Sequence, residues 1–115
     1  MRYMSFAMTT DAVRSQAKTV TRRFGWWFLR PGDLVQPVEK AMGLRKGERI
    51  KRIGPPIRIV ATRAEPLNAI TPEDVVREGF PGMTPDEFVD MLCRHYRCAP
   101  DRVVNRIEFE YCNER

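Results

Sequence analysis

Thirteen residues apart, the chain spells the same helix start twice. Thr71-Pro72-Glu73-Asp74 and Thr84-Pro85-Asp86-Glu87 each supply a threonine cap, a proline at the first helical position and acids in the first turn. The positive end of a helix dipole favours all three. Glu87, three residues after Thr84, completes a capping box. The first helix is expected to stop at Glu78, because Gly79 suits the left-handed position just past a helix end. The second should run to about His95 and turn Phe88, Met91 and Leu92 inward. Two short helices this close together need a sheet to pack on, and the rest of the chain reads as strands.

Residues 102–112, RVVNRIEFEYC, set Val104, Arg106, Glu108 and Glu110 against Val103, Ile107, Phe109 and Tyr111, with one break at Asn105. That alternation predicts a closing strand. Behind Pro55-Pro56, Ile57, Ile59 and Ala61 alternate with Arg58, Val60 and Thr62, a strand with one face in the core. Leu34 to Val38 follows the turn Pro31-Gly32-Asp33. Lys18 to Phe24 is rich in β-branched residues, and Arg2 to Met8 reads as a short strand. Thr9 or Thr10 can cap a helix to about Ala17, although its apolar face is thin. Glu39 to Gly54 has no period and reads as a long loop or irregular hairpin. The sum is one domain over residues 1–115, with room for a single core. Five or six strands and two to three short helices, mostly without helical crossovers, predict an α+β fold: a small β-barrel with helices packed on it.

Charge is divided along this frame. Residues 14–63 carry thirteen Lys/Arg against three Asp/Glu, and residues 64–93 carry one against seven. A basic middle followed by an acidic segment points to a basic face, which attracts polyanions. No apolar run approaches the roughly 20 residues a membrane helix needs. MRYMSFAM lacks an apolar core followed by a cleavage site, so export is not expected. Three cysteines are too few for a disulfide framework and favour the reducing cytoplasm.

Four stretches could carry chemistry. In KTVTRR, 18–23, Lys18 meets Thr21 only if Lys18 lies at the helix-to-strand junction, before strand alternation begins. A cation beside a hydroxyl can hold an anionic oxygen or ease attack by the threonine; solvated charges on an edge strand are the alternative. Glu78, at the negative end of a helix, is tolerated best with Lys18 or Arg22 nearby and could then serve as a base; a merely exposed glutamate is the alternative. Trp26 and Trp27 beside Arg22 and Arg23 could stack bases, or plug the end of a barrel. Arg45, Lys46, Arg49 and Lys51 could grip phosphates, or form a solvated face. Cys93, His95 and Cys98 lack a fourth ligand at any zinc spacing, so neither a metal nor a cofactor is expected.

Taken together, Met4-Ser5-Phe6, KTVTRR, PGD at 31–33, ITPEDVVREGF at 70–80, MTPDEF at 83–88 and VNRIEFEY at 104–111 resemble the ASCH (activating signal cointegrator homology) domain, a β-barrel of the PUA-like superfamily. The resemblance spans nearly the whole chain and implies a cleft between barrel and helices suited to RNA or a modified nucleoside. One branch is similar to N4-acetylcytidine amidohydrolase; it implies Thr21 as nucleophile, Lys18 as its activator and Glu78 as the proton-transfer group. Other members are described as ribonucleases or RNA binders. The chain departs in having Gln16 where a glycine often stands two residues before the lysine, and in a longer basic insert at 39–54. Three functions follow as expectations: RNA or nucleotide binding, hydrolysis of an acylated nucleoside, or a protein-interaction module using the acidic segment.

Overall fold

A computed structural model describes residues 1–113. Its strands are β1 (Arg2–Ser5), β2 (Val20–Arg23), β3 (Leu34–Val38), β4 (Ile57–Pro66) and β5 (Val103–Tyr111). The helices are α1 (Thr10–Arg14), α2 (Pro72–Arg77) and α3 (Pro85–Tyr96), with a 3-10 turn at Leu67–Ala69. The five strands form one sheet in the order β1-β3-β4-β5-β2. The β1–β3 pair is parallel and the others antiparallel.

β4 and β5 pair along their length, from Ile57 opposite Tyr111 to Pro66 opposite Val103. The two acidic helices are therefore an excursion at the end of one long antiparallel pair. Their caps form as the sequence implies. Thr71 Oγ1 accepts from the Asp74 amide, and Thr84 and Glu87 exchange both capping-box bonds at 3.2 and 3.0 Å. Gly79 follows α2 with φ +101°, and a Cβ there would lie 2.9 Å from Ala12 Cβ. Only glycine meets both demands, so α2 can turn tightly against α1.

β5 is covered on both faces. Ile107 and Phe109 enter a core with Met4, Phe6, Val13, Val35, Ile57 and Ile59. Val104, of opposite parity, enters a second core with Leu67, Val75, Phe88 and Leu92 under the helices. The α+β class, five strands and helices packed on one sheet are as expected. The barrel does not close, because β1 and β2 remain unpaired edges of the sheet. A side chain bridges that seam: Arg23 Nη2 donates to the Ser5 carbonyl at 2.7 Å.

Several bounds differ from expectation. β1 ends at Ser5 rather than Met8, and α1 at Arg14 rather than Ala17. β2 begins at Val20, and β4 runs on to Pro66. A bulge between Ile59 and Ala61 breaks the β4 alternation and leaves Ala61 exposed. In α3 Val89 is buried and Met91 only half so.

Candidate functional site

Because β2 is an edge strand, side chains from both its faces reach the space beside it. Lys18 precedes the strand, at the junction where alternation has not begun. Its backbone is pinned on both sides: its amide donates to the Ala12 carbonyl at 3.1 Å, and Tyr111 Oη donates to its carbonyl at 2.6 Å. Burial pushes the Tyr111 hydroxyl pKa well up, so it remains a donor.

From this anchor the Lys18 side chain runs into the protein and is only 2% exposed. Its Nζ donates to both Glu78 Oε1 and the Glu78 carbonyl, each at 2.7 Å. That carbonyl is one of those a helix leaves unpaired at its end, so one ammonium satisfies a backbone and a side-chain acceptor. Burial pulls the Lys18 pKa below its ordinary 10.5, with Glu78 acting in the opposite direction. Thr21 is buried, and its Oγ1 accepts from Arg23 Nε at 3.1 Å. Accepting there leaves the hydroxyl proton free to be donated elsewhere.

Lys18, Thr21, Arg23 and Glu78 line one cleft of about 200 Å³, shared with the Phe80 and Tyr96 rings. Its other wall is the β1–α1 loop from Ser5 to Thr9. His95 borders the same space and packs edge-on against Tyr96.

Arg22 also borders the cleft, but its guanidinium is committed. Nη2 donates to Asp74 Oδ2 at 2.6 Å and Glu65 Oε2 at 2.9 Å, and Nη1 to Glu78 Oε2 at 3.2 Å. Arg106 grips Asp74 from β5, with Nε to Oδ2 at 2.6 Å and Nη2 to Oδ1 at 3.0 Å. Arg22 and Arg106 face each other directly across β2 and β5. Like charges so placed repel, and Asp74 between them makes the pair tenable. The Arg106 hydrogen bonds, reinforced by Arg22 and opposed by burial, hold the Asp74 carboxyl far below its ordinary pKa. Sequence reasoning missed Asp74, Arg106 and Glu65. The available signal was an arginine on the same face of β5 as the buried Val104.

The remaining candidates are dispersed. Trp26 is half-buried in a second depression beside the cleft, whereas Trp27 is 53% exposed and lines neither. Arg45, Lys46, Arg49 and Lys51 are all exposed on the insert. Arg49 and Lys51 line a groove that reaches Ala7, a residue that also borders the cleft. Arg45 and Lys46 lie outside that groove. Cys93 and Cys98 place their sulfurs 3.9 Å apart. Among the described residues no three His, Cys, Asp or Glu gather as a metal ion would require. No described helix is long and apolar enough to cross a membrane.

No family model and no curated protein matches the chain. Solved structures do. Over 96% of its length it is similar to a DUF984-family protein from Enterococcus faecalis V583, covering 76% of that chain at 16% identity and a TM-score of 0.63. Over 96% it is also similar to an ASCH domain from Lactobacillus crispatus JV V101, covering 78% of that chain at 14% identity and a TM-score of 0.58. The mixed five-stranded sheet with helices between β4 and β5 is thus an ASCH-like fold.

Proposed function

We propose that this chain binds RNA or a nucleotide, seating one base in the cleft. The observation that carries this reading is the convergence of Lys18, Thr21, Arg23 and Glu78 with aromatic rings around a space of about 200 Å³. That is smaller than the roughly 300–1,000 Å³ of a drug-sized site, so it suits a single ring system. Both hydrogen-bond donors and acceptors line it, as reading a base edge requires, and the rings offer faces for stacking. The groove along the insert, meeting the cleft at Ala7, supplies Arg49 and Lys51 for phosphates. Arg45 and Lys46 add charge nearby.

Fluorescence anisotropy with a labelled ten-nucleotide single-stranded RNA tests this. Affinity should fall steeply between 50 and 200 mM salt, as counterion release predicts (about 0.9 per phosphate contacted in the log–log slope for duplex DNA, less for single strands). Replacing Arg45, Lys46, Arg49 and Lys51 with Ala should reduce the slope by about one for each cation that touches a phosphate. Absence of binding at low salt would sink the reading.

A second reading, hydrolysis of an N4-acylated cytidine, rests on one observation. Burial lowers the Lys18 pKa in the space that also holds Thr21 and Glu78. Glu78 takes a proton from the Lys18 ammonium it contacts, and the amine so freed takes the Thr21 hydroxyl proton while the oxygen attacks the acyl carbon. The carbon–nitrogen bond breaks, the amine leaves with a proton carried by Glu78, and water then frees the acyl group from Thr21 as a carboxylate. Acetate release from N4-acetylcytidine should exceed that of the Thr21→Val protein, and equal rates dispose of the idea.

A further inference from the structure

A second depression opens across the wall formed by Arg22, Arg23 and Tyr96. It encloses about 430 Å³, and Arg2, Trp26 and Phe28 line its other side. Trp26 rests one side against the first core and Phe24 against the second, but core packing does not account for Phe28. Phe28 is 52% exposed, its centroid 5.5 Å from that of Trp26, with the Arg2 guanidinium 4.3 Å from the Phe28 ring centre. Trp26 has φ +63°, a left-handed backbone that bulky residues rarely adopt. Two donors hold it there: Asn105 Nδ2 and the Leu29 amide reach its carbonyl at 3.0 and 3.1 Å. Asn105, the break in the β5 alternation, is itself buried and directs its amide to this bond. A strained aromatic held by a buried amide is a fixed platform rather than a loose surface residue.

The wall between the two spaces has an unmet need. Arg22 Nε is the sole buried side-chain nitrogen or oxygen without a hydrogen-bond partner among the described residues, on a side chain 1% exposed. Buried donors left unpaired are costly and uncommon.

We infer that the aromatic depression is a second base subsite, so that the ligand is a segment of single-stranded RNA at least two nucleotides long rather than a free nucleoside. This rests on the RNA-binding reading above. One base occupies the cleft, and its neighbour stacks on Trp26 and Phe28. The phosphate joining them crosses the wall at Arg23, which lines both spaces, and the buried Arg22 charge behind it adds to the positive potential there. Arg2 adds a cation beside the stacked base. Joining the two bases makes the second contact intramolecular, so affinity rises without a second cost of association.

Calorimetric titration of the native protein with nucleoside 5′-monophosphates, with ribodinucleotides carrying each base at each position, and with a ten-nucleotide RNA tests this. The best dinucleotide should bind about tenfold or more tightly than the best mononucleotide, the lower range for a base stacked on an aromatic side chain. Phe28→Ala and, separately, Arg2→Ala should each bring the dinucleotide down toward the mononucleotide value. Ten-nucleotide binding combined with equal mono- and dinucleotide affinities overturns the second subsite and leaves the RNA-binding reading standing. No binding of any of the three overturns both.

Discussion

Asp74→Asn is expected to remove about 3–5 kcal/mol of unfolding free energy, the usual result of taking one partner from a buried ion pair. The reason lies in the chemistry of what remains. Arg22 and Arg106 are buried, stand opposite each other across two strands, and both donate to this carboxylate. Neither guanidinium can shed its charge. Asparagine preserves shape and one acceptor oxygen but removes the one carboxylate that the two facing cations share. Urea unfolding of the two proteins measures the loss, and Glu73→Gln on the exposed side of the same turn serves as the control, with a change within about 0.5 kcal/mol. A loss below about 1 kcal/mol for Asp74→Asn would show that the network contributes little.

The same carboxylate sets an acid limit. Its pKa is depressed in the folded chain from an ordinary 3.8, so on acidification the unfolded chain takes up the proton first. The stabilisation is complete above that value and is lost as pH falls below it. Native stability should therefore drop more steeply than that of the asparagine variant between about pH 4 and 2.

Glu78→Gln is expected to cost less, about 2–3 kcal/mol at pH 7, in the range of hydrogen bonds to charged groups. The difference arises from the partner. Lys18, already below its ordinary 10.5 through burial, can release its proton when the carboxylate goes. Arg22, the other partner of Glu78, keeps Asp74 and Glu65, whereas Asp74→Asn takes from both arginines the carboxylate they share. The folded variant then holds fewer protons than its unfolded chain until pH reaches about 10.5. Its stability must rise with pH over that window. Unfolding measured at pH 7 and pH 9.5 should show the gap to the native protein narrowing, and a constant gap would mean that Lys18 keeps its proton.

How much of this was legible beforehand depends on the range of the interaction. The capping box at Thr84, the stop at Gly79 and β3 from Leu34 to Val38 are written in residues a few positions apart, and the sequence reading places them correctly. Lys18, Thr21 and Glu78 border one cleft because a short junction and a helix end aim them there. Whether the barrel closes was not legible. Closure depends on whether two edge strands far apart in sequence pair, and here an arginine side chain spans the gap instead. Asp74 read as an ordinary first-turn acid and Arg106 as an outward strand residue. Both belong to a buried network that exists only in the register placing Arg22 opposite Arg106. No local pattern encodes that register. Asn105, which read as a flaw in the alternation, proves to be the residue that fixes Trp26.

The position of β5 also governs the order in which the molecule can assemble. It is the last strand in chain order, yet it lies inside the sheet between β4 and β2 and contributes to both cores. During synthesis on a ribosome, β4 and β2 emerge early with no partner between them. The two acidic helices follow with one wall of their core missing. Neither core can close until residues 103–111 have cleared the exit tunnel, so this chain must fold after translation of its sheet is complete rather than progressively during it.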